Sequence, residues 1–134
     1  MLLRPNAVSH DVIGSAIEVH RAIGPGLFES VYQQCVAEEL RHRRIPFETQ
    51  VPVPLVYRGT QLNCGFRVDF VVAGRLLVEL KSVEQILPVH HAQLLTYLKL
   101  LGLSEGLLLN FNVPVLKQGI RRILVGERDQ HVDA

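Results

Sequence analysis

The chain has no tryptophan, one methionine, two cysteines, and only five phenylalanines and three tyrosines in 134 residues. Cys35 and Cys64 have no metal-type spacing and cannot build a disulfide framework. Neither a zinc module nor a stapled secreted scaffold is therefore expected, and a reducing cytoplasm is the simpler setting. Charge of either sign is also scarce: fourteen Lys and Arg against thirteen Asp and Glu leave a net charge of +1. That balance excludes the broadly basic surface of a general nucleic-acid binder, so any polyanion site has to be local. No stretch nears the roughly eighteen consecutive apolar residues of a membrane span, and the opening residues to Asn6 contain no apolar leader core, so no membrane association is expected. Repeats, linkers and low-complexity tracts are missing too. What is present is a hydrophobic content of 48%, enough for one core, and a single domain over residues 1–134 is expected.

The most informative stretch runs from Phe66 to Lys81. Even positions read Phe66, Val68, Phe70, Val72, Leu76, Val78 and Leu80; odd positions read Arg67, Asp69, Val71, Leu77 and Glu79, with Lys81 next. Side chains alternate faces along a strand, so one face is apolar and the other carries the charge. A hairpin loop of Ala73, Gly74 and Arg75 pairs Val72 with Leu76 and sets Asp69 opposite Glu79, with Gly74 supplying the left-handed backbone. A two-residue loop would instead put the carboxylates on opposite faces. Two adjacent carboxylates in a half-buried sheet repel unless a proton, a cation or a metal lies between them. Lys81 neutralises them in part, and a hard divalent ion would do so more fully, keeping waters free for a substrate phosphate. The plainer alternative is a pair of solvated charges with Lys81 as cross-strand partner.

The surrounding elements follow from periodicity and breakers. Ser9 is expected to cap a helix from His10 to Ile23, which Gly24-Pro25-Gly26 ends. A second helix is expected from Leu27 to Arg43, with Phe28, Val31, Tyr32, Cys35, Val36 and Leu40 as its buried stripe. Val51–Tyr57 reads as one edge strand because Pro52 and Pro54 lack N–H groups on the same side. A helix from His90 to Leu101, a buried strand from Gly106 to Phe111 and a last strand from Gly119 to Val125 complete the order. Residues beyond Gly126 are expected to fray.

Other candidates each have an ordinary alternative. Glu29 stands on the shoulder of the second helix and is a candidate third metal ligand, but acid in a first turn is also favoured by the helix dipole. His20, among Ala16, Ile17 and Ile23, either contacts phosphate or is a satisfied core histidine. Arg67 shares the charged face of the hairpin and is a candidate phosphate contact. His90, Gln93 and Tyr97 form one polar helix stripe suited to phosphate, a base or solvent.

Gly26-Leu27-Phe28-Glu29-Ser30-Val31-Tyr32, preceded by Ile17-Glu18-Val19-His20 and Gly24-Pro25, resembles the signature of the GxxExxY protein family of the PD-(D/E)XK nuclease superfamily. The resemblance continues through Val68-Asp69-Phe70, Val78-Glu79-Leu80-Lys81, Gln93-Leu94-Leu95-Thr96-Tyr97-Leu98 and Leu109-Asn110-Phe111-Asn112, from about residue 8 to about residue 125. It implies an α/β (α+β) fold with a restriction-endonuclease-like α-β-β-β-α-β core, a mixed central sheet flanked by helices, and an extra N-terminal helix. It also implies that Asp69, Glu79 and Glu29 bind Mg2+ or Mn2+. Lys81 would position water or stabilise phosphorane charge, and Gln93 and Tyr97 would adjoin the site. Val68 replaces the proline of the superfamily motif, a residue without a chemical role. The expected partner is nucleic acid, DNA or RNA, with a homodimer or protein partner as a further association. The alternative to a nuclease is a module that keeps the fold for binding, with little or no turnover.

Overall fold

The computed structural model describes residues 7–126. Helix α1 is Ala7–Ile23 and α2 is Glu29–His42; the strands are β1 Phe47–Pro52, β2 Leu55–Tyr57, β3 Thr60–Leu62, β4 Arg67–Val72 and β5 Leu76–Lys81. Helix α3 (Pro88–Leu101), β6 (Glu105–Asn110) and β7 (Ile120–Leu124) follow. Five strands make one sheet in the order β1-β4-β5-β6-β7, with β2 and β3 forming a separate ribbon. Within the large sheet β5 and β6 run parallel and the other neighbours antiparallel. A parallel pair needs a long crossover, and α3 supplies it. The result is the expected mixed sheet flanked by helices. No described helix is long and apolar enough to cross a membrane.

Each sheet face is sealed by its own helices. Val12, Ala16 and Val19 of α1 and Tyr32, Val36 and Leu40 of α2 pack on Phe70, Val72, Leu76 and Val78. Leu94 and Leu98 of α3 pack on Val71, Leu77, Leu108 and Ile123. Burial on both sides is why Leu76–Val78 and Leu107–Leu109 are unbroken apolar runs. The hairpin has the expected register, Val72 with Leu76 and Phe70 with Val78. Its turn is more demanding than expected, since Ala73 (φ 54°) as well as Gly74 (φ 66°) is left-handed.

Several boundaries differ from the sequence reading. Helix α1 begins at Ala7, so Ser9 lies inside it and is not its cap; the longer helix buries Val8 as well. Phe28 is not part of the α2 stripe: it precedes the helix with extended backbone and is 83% exposed. The cause is tertiary, because the buried Tyr32 hydroxyl donates to Gly24 O (2.6 Å) and accepts from Leu27 N–H (3.2 Å), holding that segment as a loop. The single strand expected over Val51–Tyr57 is two pieces. β1 starts at Phe47 and lies at the sheet edge. After Pro52 the Val53 N–H turns to Phe66 O (2.9 Å), and Pro54 has no N–H with which to extend a ladder. Phe66 is exposed and Val68 packs with Val53, so the even face of β4 is continuous only from Phe70 onward. A turn of 3-10 helix, Leu116–Gly119, leads into β7. The expected fraying of the tail concerns residues outside those described.

Candidate active site

The β4–β5 ladder stops at Phe70 and Val78, and one step further the carboxylates occupy the gap between the strands. Asp69 N–H donates to Glu79 Oε1 (2.6 Å), and Leu80 N–H donates to Asp69 Oδ2 (2.8 Å). Each acid accepts from the opposite strand's backbone, a charge-assisted bond that replaces a neutral ladder bond. Asp69 and Glu79 therefore converge as the three-residue loop requires.

Burial is the main force on both acids. It raises the Asp69 pKa, and the Glu29 charge raises it further, against the opposing pull of the Leu80 N–H, Lys81 and Gln33. Glu79 is pushed up from 4.5 to about 7, by burial first and the Asp69 charge second. A metal-free pair thus holds a proton near neutrality. The folded protein binds more protons than the unfolded chain between about pH 4.5 and 7, so metal-free stability should fall as pH rises through that window. For the shift in Glu79 to about 7 the loss approaches roughly 3 kcal/mol. Melting temperatures in EDTA at pH 5 and pH 8 check this: wild type should lose more than Glu79→Gln, whose uncharged amide keeps the Oε1 acceptor. Equal losses in the two proteins would remove Glu79 as the cause.

Lys81, half-buried at the end of β5, lowers the pKa of both acids but forms no ion pair with either among the described residues. Glu29 opens α2 and is exposed. Its Oε2 accepts from Ser82 N–H at 3.4 Å, and Ser82 Oγ donates to Leu27 O (2.6 Å). The Gly26-x-x-Glu29-x-x-Tyr32 spacing thus divides its labour: Tyr32 fastens the loop, and the loop sets Glu29 beside the strand end that carries Lys81. Among the described residues no three His, Cys, Asp or Glu side chains are grouped closely enough to hold a metal ion. The carboxylates brought together are Asp69 and Glu79, with Glu29 turned to Ser82.

On the opposite face, Gln93 hydrogen-bonds the Tyr97 phenol, whose pKa is raised by burial and then by the Glu79 charge. Tyr97 therefore lies within reach of the Glu79 charge, with Gln93 as its hydrogen-bond partner. His90 leaves the stripe, because its Nδ1 accepts from Leu87 N–H (3.0 Å) and caps α3. Arg67 is exposed and donates to Gln50 O (3.3 Å). His20 is buried, and its Nε2 faces Phe111 O (3.2 Å) and Val113 O (2.9 Å). Two carbonyl partners require a proton on that nitrogen, leaving Nδ1 as the one for any further contact.

Two residues at the site have no counterpart in the sequence reading. Gln33 Nε2 donates to Asp69 Oδ1 (2.5 Å), and Gln50 Nε2 donates to Gln33 Oε1 (2.9 Å). Gln33 follows Glu29 by one helical turn, and that i, i+4 spacing was the available signal. Gln50 gives none: it sits inside β1 with φ 51°, and the β1–β4 pairing passes over it and Asp69. A left-handed glutamine in a strand costs on the order of 1 kcal/mol or more and persists only where its surroundings hold it.

A family model described as the PD-(D/E)XK nuclease superfamily matches residues 6–123. No curated protein and no solved structure matches the chain.

Proposed function

Because the chain belongs to the PD-(D/E)XK nuclease superfamily, we propose that it is a divalent-metal-dependent nuclease hydrolysing phosphodiester bonds, with Asp69 and Glu79 as the ligands of Mg2+ or Mn2+. The observation that carries this reading is the half-buried carboxylate pair, unmatched by any ion-paired cation among the described residues. Mg2+ commonly takes one or two carboxylates and completes its shell with water and phosphate oxygens, so the pair suffices as a donor set. The ion would activate a water and offset charge on the phosphate. Glu29 adds negative charge at the margin, Lys81 stabilises the charge that builds on the phosphoryl group, and Gln93 and Tyr97 orient the strand. Arg67 supplies a phosphate contact, and His20 keeps Nδ1 for a substrate contact.

Mg2+ or Mn2+ should raise the melting temperature, since a ligand of the native state stabilises it by about 2.7 kcal/mol at a hundred times its Kd. Asp69→Asn should reduce that shift sharply in a thermal melt. If the shift persists undiminished, Asp69 is not a ligand. The position of Glu29 on Ser82 favours a second reading, a nuclease fold kept for binding; metal binding with no turnover on any DNA or RNA would select it.

A further inference from the structure

Between the β2–β3 ribbon and the start of β4 lies a cavity of about 550 Å3 that the carboxylate pair does not use. Its walls include Pro52, Pro54, Gln61, Asn63, Phe66 and Arg67. Their chemistry is mixed in a particular way: an aromatic ring and proline rings, two primary amides, and one guanidinium. The Gln61 and Asn63 side chains are exposed. Phe66 is 43% exposed, and its ring leans on Tyr97 at 6.2 Å and 43°, the phenol that feels the Glu79 charge. Arg67 spends one N–H on Gln50 O and keeps others of its five for a phosphate. It precedes Asp69 by two residues of strand, about 7 Å.

We propose that this cavity takes an unpaired nucleobase, stacked on Phe66 and read at its edge by Gln61 and Asn63, so that the polymer presented to Asp69 and Glu79 is single-stranded. The identity of the polymer rests on the nuclease reading; the base pocket rests on the cavity. Charge supports the single strand over the duplex. A protein making roughly 6–10 phosphate contacts on duplex DNA needs a matching set of cations, whereas this chain has a net charge of +1, with Lys81 near the acids and Arg67 two residues before Asp69. A duplex also hides its base faces, while a single strand exposes them to aromatic rings.

The test is binding of a fluorescent 30-nucleotide single strand and of the same sequence as duplex, followed by anisotropy in EDTA so that nothing is cut. The single strand should bind at least about tenfold tighter. Phe66→Ala should weaken it by roughly 5- to 150-fold while circular dichroism shows the variant still folded at the assay temperature. Gln61→Ala with Asn63→Ala should flatten any preference among homopolymers. Equal affinity for duplex and single strand, binding of neither, or indifference to Phe66→Ala overturns the proposal, as does displacement by a free mononucleotide that binds as tightly as the strand. The two readings fail separately. Phe66-dependent strand binding without Mg2+- or Mn2+-dependent cleavage removes the nuclease and keeps the pocket, and cleavage indifferent to Phe66 does the reverse.

Discussion

Lys81→Ala should leave Mg2+ affinity close to that of wild type while cleavage falls on the order of a hundred- to a thousandfold, equivalent to about 2.7–4 kcal/mol of barrier. An ammonium has only donors and cannot ligate a metal, so its loss should spare the metal shift in a melt. The strand should not move either: Lys81 pairs with Asn110 across β5 and β6, and its carbonyl accepts from Phe111 N–H (2.9 Å). What disappears is a positive charge close enough to hold down the proton affinity of Asp69 and Glu79. The pH–rate profile should therefore shift to higher pH along with the fall in rate. Single-turnover cleavage of a labelled oligonucleotide at several pH values measures both. Identical rates in wild type and variant would mean that Lys81 takes no part, or that the activity belongs to a contaminant.

The largest expected loss of stability is at Gly119, far from Asp69 and Glu79 in sequence. A Cβ there would stand 2.1 Å from Asn110 O and 3.0 Å from Asn110 C, both backbone atoms that cannot rotate aside. Gly119→Ala should cost about 3 kcal/mol, read as a fall of about 10 °C in melting temperature. The damage should also reach the site. Asn110 is buried, its Nδ2 donates to Val83 O (2.9 Å), and its Oδ1 accepts from Val83 N–H (3.1 Å). Pushing Asn110 therefore pushes the segment that leaves Lys81. A fall of less than about 2 °C would contradict the close approach of the two strands' ends.

The parts of this protein that were legible in its sequence are those governed by a period. Alternation over Phe70–Val78 admits one hairpin register, and that register brings Asp69 and Glu79 together. The polar spacing of Gln93 and Tyr97 likewise put them on one helix face. Illegible were features decided by particular hydrogen bonds that no period encodes. Phe28 has helical spacing with Val31 and Tyr32, yet the hydroxyl of Tyr32 holds it outside the helix. Val51–Tyr57 looked continuous because both its halves are extended, and only the hydrogen bond of Val53 to Phe66 shows where it breaks. Glu29 has an ordinary place in a helical first turn, and only the folded chain shows that its carboxylate accepts from Ser82 N–H while its charge acts on Asp69 and Glu79. Gln33 and Gln50 are ordinary residues until the sheet brings them to Asp69.

The left-handed backbone of Gln50 has a consequence for anyone who would make this protein more robust. Glycine is the residue that such a φ favours, so a search for thermostable variants would be drawn to position 50. The amide that would be removed holds Gln33, which in turn holds Asp69. Heat tolerance and order of the acidic centre therefore pull in opposite directions at this one residue. A library selected for melting temperature alone would drift toward sturdier proteins with a looser Asp69.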